Sequence, residues 1–268
     1  MTSTDPVLWE QDGHVVRLVM NRPETRNALG SLEELDHFVS LCQRANDDRS
    51  VRAVILTGKG SAFAAGGNVK DMRDKVGILA GIPKVQRDSY RRTVQRLAQA
   101  IRNIEVPTIA AVNGPAIGQG CGLACLCDIR IAGEAAKFAV SFLKLGLVPG
   151  DGGAWILPRL IGSARAAELF FTGDLIDAAT ARDWGLVSRV VPDAELAAEA
   201  SAFAGRIAAQ PPDVLRLTKR LLREGERAPY ESVLEMSAAF QALAHHTDDH
   251  DEAIAAFFEK RPGRFEGR

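Results

Sequence analysis

The chain has 268 residues, which is enough for one large α/β domain or for one domain with a helical appendage. A hydrophobic fraction of 46% supports a substantial core and excludes a mainly disordered chain, and a net charge of −1 gives no reason to expect nucleic-acid or anionic-membrane binding. No apolar run approaches the roughly 20 residues that span a bilayer, and the N-terminus lacks a secretory pattern. We therefore expect a soluble, cytoplasmic protein.

The first elements alternate between strands and helices. Val7–Glu10 and His14–Met20 predict a β-hairpin whose turn holds Gln11-Asp12-Gly13. Ser31 begins a capping-box pattern at the start of an amphipathic helix, and the apolar run Val51–Thr57 predicts the next strand. This alternation favours an α/β layer fold.

Two adjacent glycines follow that strand. Gly66 and Gly67 carry no side chains, so a backbone N–H group in this turn can point at a ligand. The irregular segment Met72–Lys84 then predicts either a lid over a ligand or a plain exposed connection, and Tyr90–Ile104 has the periodicity of a helix.

The most informative stretch lies at the centre of the chain. A strand, Thr108–Val112, leads into the glycine-rich segment Gly118–Gly122, and a buried helix over Leu123–Cys127 follows. The first N–H groups of a helix have no internal partner, so this arrangement suits an anion, although a tightly packed strand–helix corner is equally compatible. Together with the Gly66–Gly67 turn, it could supply the two convergent N–H donors of an oxyanion hole.

A third glycine cluster, Leu145–Gly153, contains Asp151. This aspartate either stabilises a turn or presents an acid or base to a pocket. Ser163 is predicted to cap a helix that runs to Phe171, and a final short strand is expected over Val187–Val191.

The composition changes near residue 192, after which we predict only helices. We therefore divide the chain into a core region, 1–192, and a helical C-terminal region, 193–268, of the kind that serves assembly or covers a site. The predicted helices are Ala194–Ala209, Asp213–Glu224, Tyr230–His246 and His250–Lys260.

Several kinds of site are disfavoured by the sequence. Leu123 stands where a dinucleotide fingerprint needs its third glycine, and neither a phosphate-binding P-loop nor a nucleophile elbow is present. His246 and His250 are spaced i, i+4, but they lack the H-E-x-x-H pattern of a zinc site. The cysteines, three of them between 121 and 127, lie among apolar residues, so we expect buried thiols and no metal.

Three motifs in this order resemble the enoyl-CoA hydratase/isomerase, or crotonase, superfamily. They are FAAGGNVKDM (63–72), AAVNGPAIGQGCGLACLCDIRIA (110–132) and LGLVPGDGGAWILPRLIG (145–162), supported by NRPETRNAL (21–29) and AFFEKR (256–261). The resemblance implies an α/β crotonase-like spiral of repeated ββα units with a helical C-terminal trimerisation region. It also implies a homo-trimer, or a hexamer built as a dimer of trimers.

The resemblance further implies an acyl-CoA ligand, with no cofactor other than the coenzyme A of the substrate. The thioester carbonyl is expected between the N–H groups of Gly67 and Gln119, although Gln119 replaces the glycine usual there and Asn68 replaces a frequent aspartate. The residues expected to contact coenzyme A are Arg26, Ala28, Ala65, Gly67, Val69 and Lys260, the last of these often from a neighbouring subunit.

The two acids of the hydratases are missing. The positions that resemble the two glutamates hold Gly122 and Phe142, and Asp151 is the carboxylate that remains close by. Hydration needs a base for water and an acid for carbon, whereas one carboxylate can shuttle a proton through an enolate. We therefore expect isomerase-type or related chemistry with Gly67, Gln119 and Asp151 as catalytic groups. The alternatives are a 2-enoyl-CoA hydratase with an atypical acid set and a non-catalytic acyl-CoA-binding protein.

Overall fold

The computed structural model describes residues 4–268, which form nine strands and twelve α-helices. The strands are β1 Val7–Asp12, β2 Val15–Met20, β3 Ala53–Gly58, β4 Thr108–Val112, β5 Ala116–Ile117, β6 Ile129–Gly133, β7 Lys137–Ala139, β8 Ile176–Asp177 and β9 Arg189–Val191. The helices are α1 Leu32–Asp47, α2 Val69–Asp74, α3 Pro83–Arg92, α4 Val94–Arg102, α5 Gln119–Leu126, α6 Gly153–Ile161, α7 Ser163–Thr172, α8 Ala178–Asp183, α9 Leu196–Ala208, α10 Pro212–Gly225, α11 Tyr230–Ala244 and α12 Asp248–Glu259.

A six-stranded sheet in the order β1-β2-β3-β4-β6-β9 forms the centre of the molecule. The first hairpin is antiparallel, and every later pair in this sheet is parallel. Adjacent residues of β3 show why both faces are buried: Val54 packs into the larger core cluster, and Ile55 packs into a second cluster on the opposite face. Because both faces of the central strands are apolar, the sheet needs a covering layer on each side.

The two covering layers have different origins. On one face, α1, α4 and α5 contribute apolar side chains such as Phe38 and Leu97 to the larger cluster. On the other face, α9 packs against the sheet through Leu196, Ala200 and Ala204. The first long helix after residue 192 is therefore part of the sandwich around the sheet.

A smaller sheet, β5-β7-β8, brings two glycine-rich turns together. Ala64, in the turn after β3, forms a parallel bridge with Ala116, and its carbonyl oxygen accepts a hydrogen bond of 3.0 Å from Ile117 N–H. Gly118 N–H donates to Ala139 O at 2.8 Å. These bonds fix the end of β5, and with it the start of α5, against the Gly66–Gly67 turn.

Helix α5 begins four residues earlier than the sequence analysis predicted, since it includes Gln119, Gly120 and Gly122. A Cβ atom on Gly120 would lie less than 3.0 Å from the carbonyl oxygen of Ala64, a separation that real Cβ atoms do not adopt. The glycines that suggested a turn therefore let the first turn of a helix pack directly against backbone.

Several other predictions differ from the structure. The hairpin turn is Gly13-His14, because β1 continues to Asp12. The predicted helix over 90–104 is two helices with a break at Thr93, and part of the irregular segment 72–84 is helical. Gly162, with φ 81°, caps α7 in place of Ser163. The analysis missed α6 because its glycines and internal proline resemble loop signals.

The C-terminal helices are attached to the core by buried polar contacts. From α10, Lys219 Nζ donates to Val106 O at 2.8 Å and pairs with Asp128 at 2.7 Å. The last residues fold back onto α12, where Asp249 accepts hydrogen bonds from the backbone N–H groups of Glu266 and Gly267. Within residues 4–268, no helix is long and apolar enough to cross a membrane.

Candidate active site

The three glycine clusters of the sequence meet around one cavity of about 350 Å³. Gly67 from the first cluster, Gln119 from the second and Asp151 from the third all line it. This volume lies within the range of small-molecule sites, and most of the remaining wall is apolar. Residues that lie far apart in the sequence therefore line one cavity.

Two backbone N–H groups in this wall are free to bind a ligand. In the part of the chain that the structure describes, the N–H groups of Gly67 and Gln119 donate to no protein acceptor, whereas the nearby N–H groups of Ala65 and Gly118 are paired. Ala65 N–H donates to Arg26 O at 2.9 Å, and Gly66 O accepts from Leu29 N–H at 3.1 Å. Gln119 is the first residue of α5, so its N–H also carries the positive end of the helix dipole.

Glycine is required where the two turns meet. Gly66 has φ 85°, and a Cβ on it would lie 2.7 Å from Ile117 O and 3.3 Å from Gln119 N. The turn that carries Gly67 therefore packs directly on the backbone that carries the Gln119 N–H. Such contact holds the two donors in a fixed relation, as a site that stabilises developing negative charge on a carbonyl oxygen requires.

The carboxylate of Asp151 is almost fully buried and only half satisfied. The residue is 4% exposed; its Oδ1 accepts a hydrogen bond of 2.9 Å from Gly153 N–H, and its Oδ2 has no partner among the described residues. Burial raises the pKa of Asp151 above its ordinary value of 3.8, and the bond from Gly153 N–H opposes that rise only in part. A buried carboxylate with a raised pKa beside a cavity is suited to exchange protons with a ligand.

Gly122 makes the space in which this carboxylate lies. A Cβ atom on Gly122 would lie less than 3.0 Å from Asp151 Oδ2, so no larger residue can stand at position 122 without displacing the carboxylate. The glycine thus removes a side chain from α5 and admits a carboxylate from the loop before α6. The absence of a side chain at 122 and the buried position of the Asp151 carboxylate therefore depend on each other.

Two aromatic side chains complete the wall around Asp151. The Phe142 ring lies near the N-terminal end of α5, with Cζ 3.9 Å from the position of a Cβ on Gly118. Tyr90 from α3 is half-buried, and both its burial and the negative charge of Asp151 raise the pKa of its phenol. The sequence analysis missed Tyr90, because nothing in the helical pattern of α3 and α4 distinguishes a residue facing a cavity from one facing the core.

The residues expected to contact coenzyme A lie in different surroundings. Ala65 and Val69 line the cavity near Gly67, whereas Arg26 is exposed and holds the Ala65 N–H through its carbonyl oxygen. Ala28, two residues beyond Arg26, is partly buried. Lys260 is exposed in the left-handed conformation after α12, and it does not line the cavity of its own chain.

Asn68 and the carboxylate of Asp71 also line the cavity. Asn68 accepts a hydrogen bond of 3.0 Å from Lys70 N–H and so caps α2, which an aspartate could equally do. Asp71, which the sequence analysis did not single out, also lines the cavity, with Oδ2 3.2 Å from the position of a Cβ on Gly30. The side chains of Met72, Val76, Ile78 and Leu79, from the segment predicted as a lid or a connection, line the wall as well.

The structure shows no metal-binding cluster in residues 4–268, since no group of three or more His, Cys, Asp or Glu side chains converges there. His250 does contact a histidine, but the partner is His245, with Nδ1 3.1 Å from His250 Nε2, and not His246. All four cysteines are buried and free, as the sequence analysis predicted.

Comparison with known proteins gives consistent matches along the chain. The model of the family described as enoyl-CoA hydratase/isomerase matches residues 10–268. A Mycobacterium tuberculosis protein named "Probable enoyl-CoA hydratase echA8" is 38% identical over 268 residues, covering 98% of this chain and 99% of that protein. The 1,2-epoxyphenylacetyl-CoA isomerase of Escherichia coli is 36% identical over 264 residues, covering 98% of each chain.

A solved structure extends this similarity to three dimensions. The crystal structure of enoyl-CoA hydratase from Bacillus anthracis superposes with a TM-score of 0.91 at 34% identity, covering 98% of this chain and 100% of that chain. The relatives thus include proteins named as hydratases and one named as an isomerase.

Proposed function

The chain belongs to the enoyl-CoA hydratase/isomerase family, and we propose that it moves a carbon–carbon double bond of an acyl-CoA through an enolate rather than adding water. The observation that carries the proposal is the packing at Gly122. This residue of α5 has no side chain, and the Asp151 carboxylate, from the loop before α6, occupies the space that a side chain would fill. An enzyme of this family with its acid in that position can protonate and deprotonate carbon without holding a water molecule.

The N–H groups of Gly67 and Gln119 would hold the thioester oxygen. When a proton leaves the α-carbon, the electron pair of the C–H bond moves into the thioester and places negative charge on that oxygen. Both N–H groups are available for this role because neither has a protein acceptor. Removing one donor from such a pair typically lowers the rate by about 10²–10³-fold.

Asp151 would carry the proton. In a 3-enoyl-CoA, its ionised carboxylate removes a proton from C2, which gives a dienolate with double bonds at C1–C2 and C3–C4 and the negative charge on the thioester oxygen. The carboxylic acid then returns the proton to C4, which restores the C=O bond and leaves the carbon–carbon double bond at C2–C3. Atoms and charge balance with no water, no cofactor and no metal in the step, and coenzyme A enters only as part of the substrate. The raised pKa of Asp151 supports the assignment, because it makes the carboxylate a stronger base toward carbon.

The surroundings of Asp151 disfavour a bound water. Its Oδ2 atom is buried and has no hydrogen-bond partner among the described residues, and the apolar ring of Phe142 cannot orient a water as a carboxylate would. A 2-enoyl-CoA hydratase with an atypical acid set is the second candidate, and the names of the Mycobacterium and Bacillus relatives favour it.

The test is to incubate the purified protein with 2-enoyl-CoA and 3-enoyl-CoA and to resolve the products by mass and retention. We expect conversion of 3-enoyl-CoA without a change in mass. This activity should fall by about 10²–10⁴-fold in Asp151→Asn and persist in Asp71→Asn, the other carboxylate of the cavity wall. Gain of the mass of water from 2-enoyl-CoA would establish the hydratase instead. Full activity in Asp151→Asn would overturn the role of Asp151, and binding without turnover would leave an acyl-CoA-binding protein.

The assembly remains a proposal of the same kind. We infer a homo-trimer or a dimer of trimers in the cytoplasm, with the coenzyme A moiety along Arg26, Ala28, Ala65 and Val69. The exposed Phe257 and Phe258 on α12 support an interface there, since large apolar side chains on a surface commonly mark association sites. The exposed position of Lys260 next to them supports its supply to the site of a neighbouring subunit.

A further inference from the structure

A second cavity adjoins the site on its outer side. It has a volume of about 490 Å³, and it shares Tyr90, Leu147 and Gly150 with the cavity that holds Asp151. The rest of its wall is polar or exposed and consists of Arg87, Arg91, Gln95 and Val148. The three shared residues are therefore the partition between the two cavities.

The ring of Tyr90 forms the side-chain part of this partition. Its Cε1 and Cδ1 atoms lie 3.0 Å and 3.3 Å from the position of a Cβ on Gly150, so the ring packs closely on the space that glycine leaves open. Gln95 Nε2 also donates to Gly150 O at 3.3 Å and holds the loop in place. Removing the ring would leave only Leu147 and backbone between the cavities.

The partition lies just beyond the reaction centre. Gln119 and Gly122 are three residues apart on α5, which corresponds to about 4.5 Å along the helix axis. Asp151 contacts the Gly122 position, and Gly150, on which Tyr90 packs, precedes Asp151 in the chain. An acyl chain that starts at the Gln119 N–H and passes the Asp151 carboxylate therefore reaches Tyr90 within a few carbons.

We propose that Tyr90 closes the acyl end of the site and restricts the enzyme to short acyl chains. This inference rests on the proposed function, because it takes the thioester to lie at Gly67 and Gln119. Loss of the ring joins the catalytic cavity to the outer one, so a long chain gains apolar contact with Leu147 and Val148 and an exit to solvent. Tyr90 is thus a specificity-determining residue and not a proton-transfer group.

The test measures binding separately from turnover. Dissociation constants of butanoyl-, octanoyl- and dodecanoyl-CoA, which are saturated and unreactive, are obtained by calorimetry for the parent protein, Tyr90→Ala and Tyr90→Phe. The other tyrosine, Tyr230, is 71% exposed at the start of α11, and Tyr230→Ala is the matched control. Tyr90→Leu replaces Tyr90→Ala if the smaller side chain prevents folding, as judged by circular dichroism.

We expect the parent, Tyr90→Phe and Tyr230→Ala to bind butanoyl-CoA most tightly and dodecanoyl-CoA at least tenfold more weakly. In Tyr90→Ala the order should invert, with a gain of about fourfold in affinity for each methylene newly buried. The same chain-length profile in the parent and Tyr90→Ala, or tight binding of dodecanoyl-CoA by the parent, would overturn the role of Tyr90.

The two hypotheses fail in different measurements. Inverted binding without turnover of any enoyl-CoA would refute the proposed reaction and leave Tyr90 as the end of the acyl site. Turnover of 3-enoyl-CoA with an unchanged binding profile would leave the reaction and refute the role of Tyr90. A Tyr90→Phe variant that behaves like Tyr90→Ala would assign the effect to the hydroxyl group and so contradict a steric partition.

Discussion

Two carboxylates near α5 differ in how completely they are paired. Asp128, just past the C-terminal end, pairs with Lys219 at 2.7 Å and Arg223 at 2.5 Å and also accepts a hydrogen bond of 2.8 Å from Thr108 N–H. Asp151, beside Gly122 within the helix, accepts one hydrogen bond, and its Oδ2 has no partner in residues 4–268. One helix therefore separates a satisfied carboxylate from an unsatisfied one.

The pKa values of the two groups move in opposite directions. Burial alone would raise the pKa of Asp128, but the charges of Lys219 and Arg223 outweigh it and lower the pKa. At Asp151 no positive charge opposes burial, so the pKa rises. The difference indicates that Asp128 holds the structure together, whereas Asp151 keeps a protonation equilibrium that a reaction can use.

The largest expected effect is the loss of stability on replacing Asp128, the fully paired carboxylate. Asp128→Asn leaves Lys219, whose side chain is 6% exposed, without a counter-charge, and we expect a decrease of about 3 kcal/mol in the free energy of unfolding. Asp174, in an exposed pair with Lys144 at 3.5 Å, is the matched control, and Asp174→Asn should change stability by less than about 0.5 kcal/mol. Urea denaturation measures both, and equal losses would remove the distinction between the two pairs.

The next largest effect concerns the space at Gly122 that the Asp151 carboxylate occupies. Gly122→Ala should lower turnover of the enoyl-CoA substrate by about 10–100-fold, because the new Cβ displaces the Asp151 carboxylate from its place beside α5. Gly205 in α9 has no atom within 4 Å of a Cβ position, so Gly205→Ala should leave turnover unchanged. A crystal structure of Gly122→Ala that shows Asp151 undisturbed would contradict this explanation.

A pH profile tests the raised pKa directly. If the ionised form of Asp151 is the base, kcat/KM should fall as the pH is lowered through the pKa of that carboxyl, about tenfold for each pH unit. Because burial raises this pKa, the midpoint should lie above 3.8. A midpoint at or below 3.8, measured where circular dichroism shows the fold intact, would show that Asp151 is not the titrating group.

The smallest effect is on stability and has opposite signs for two aspartates. As pH rises above 3.8, an unfolded chain loses the Asp151 proton before the folded chain does, so ionisation destabilises the fold. Asp151→Asn should therefore raise Tm slightly at neutral pH, and the difference should vanish well below pH 3.8.

Asp177 provides the opposite case. Its carboxylate caps α8 through Thr180 N–H at 2.8 Å, which lowers its pKa and stabilises the fold above pH 3.8. Asp177→Asn should lower Tm slightly at neutral pH. The difference from the parent should vanish at a pH low enough to protonate Asp177 in both the folded and the unfolded chain. Thermal melts at several pH values compare the two variants, and Tm shifts of the same sign would contradict the opposite effects expected for Asp151 and Asp177.

Much of the fold followed from local patterns in the sequence. The strand Thr108–Val112 was predicted with its observed ends, because an apolar run bounded by proline and glycine permits few alternatives. The capping box at Ser31 was confirmed, since Glu34 N–H donates to the Ser31 hydroxyl at 3.1 Å. Both features depend on residues within a few positions of each other.

What the sequence determined by itself was most of the set of parts: the main-sheet strands, the C-terminal helices, the three glycine clusters, the absence of glutamate at 122 and 142, and the family resemblance. Only the tertiary structure decided that Gly120 and Gly122 belong to a helix, that Asp151 occupies the space beside Gly122, and that Tyr90 lines the cavity. The physical reason is range. Hydrogen bonds, caps and turns act between near neighbours, whereas a carboxylate's burial and a cavity's end depend on atoms that folding brings together from distant segments.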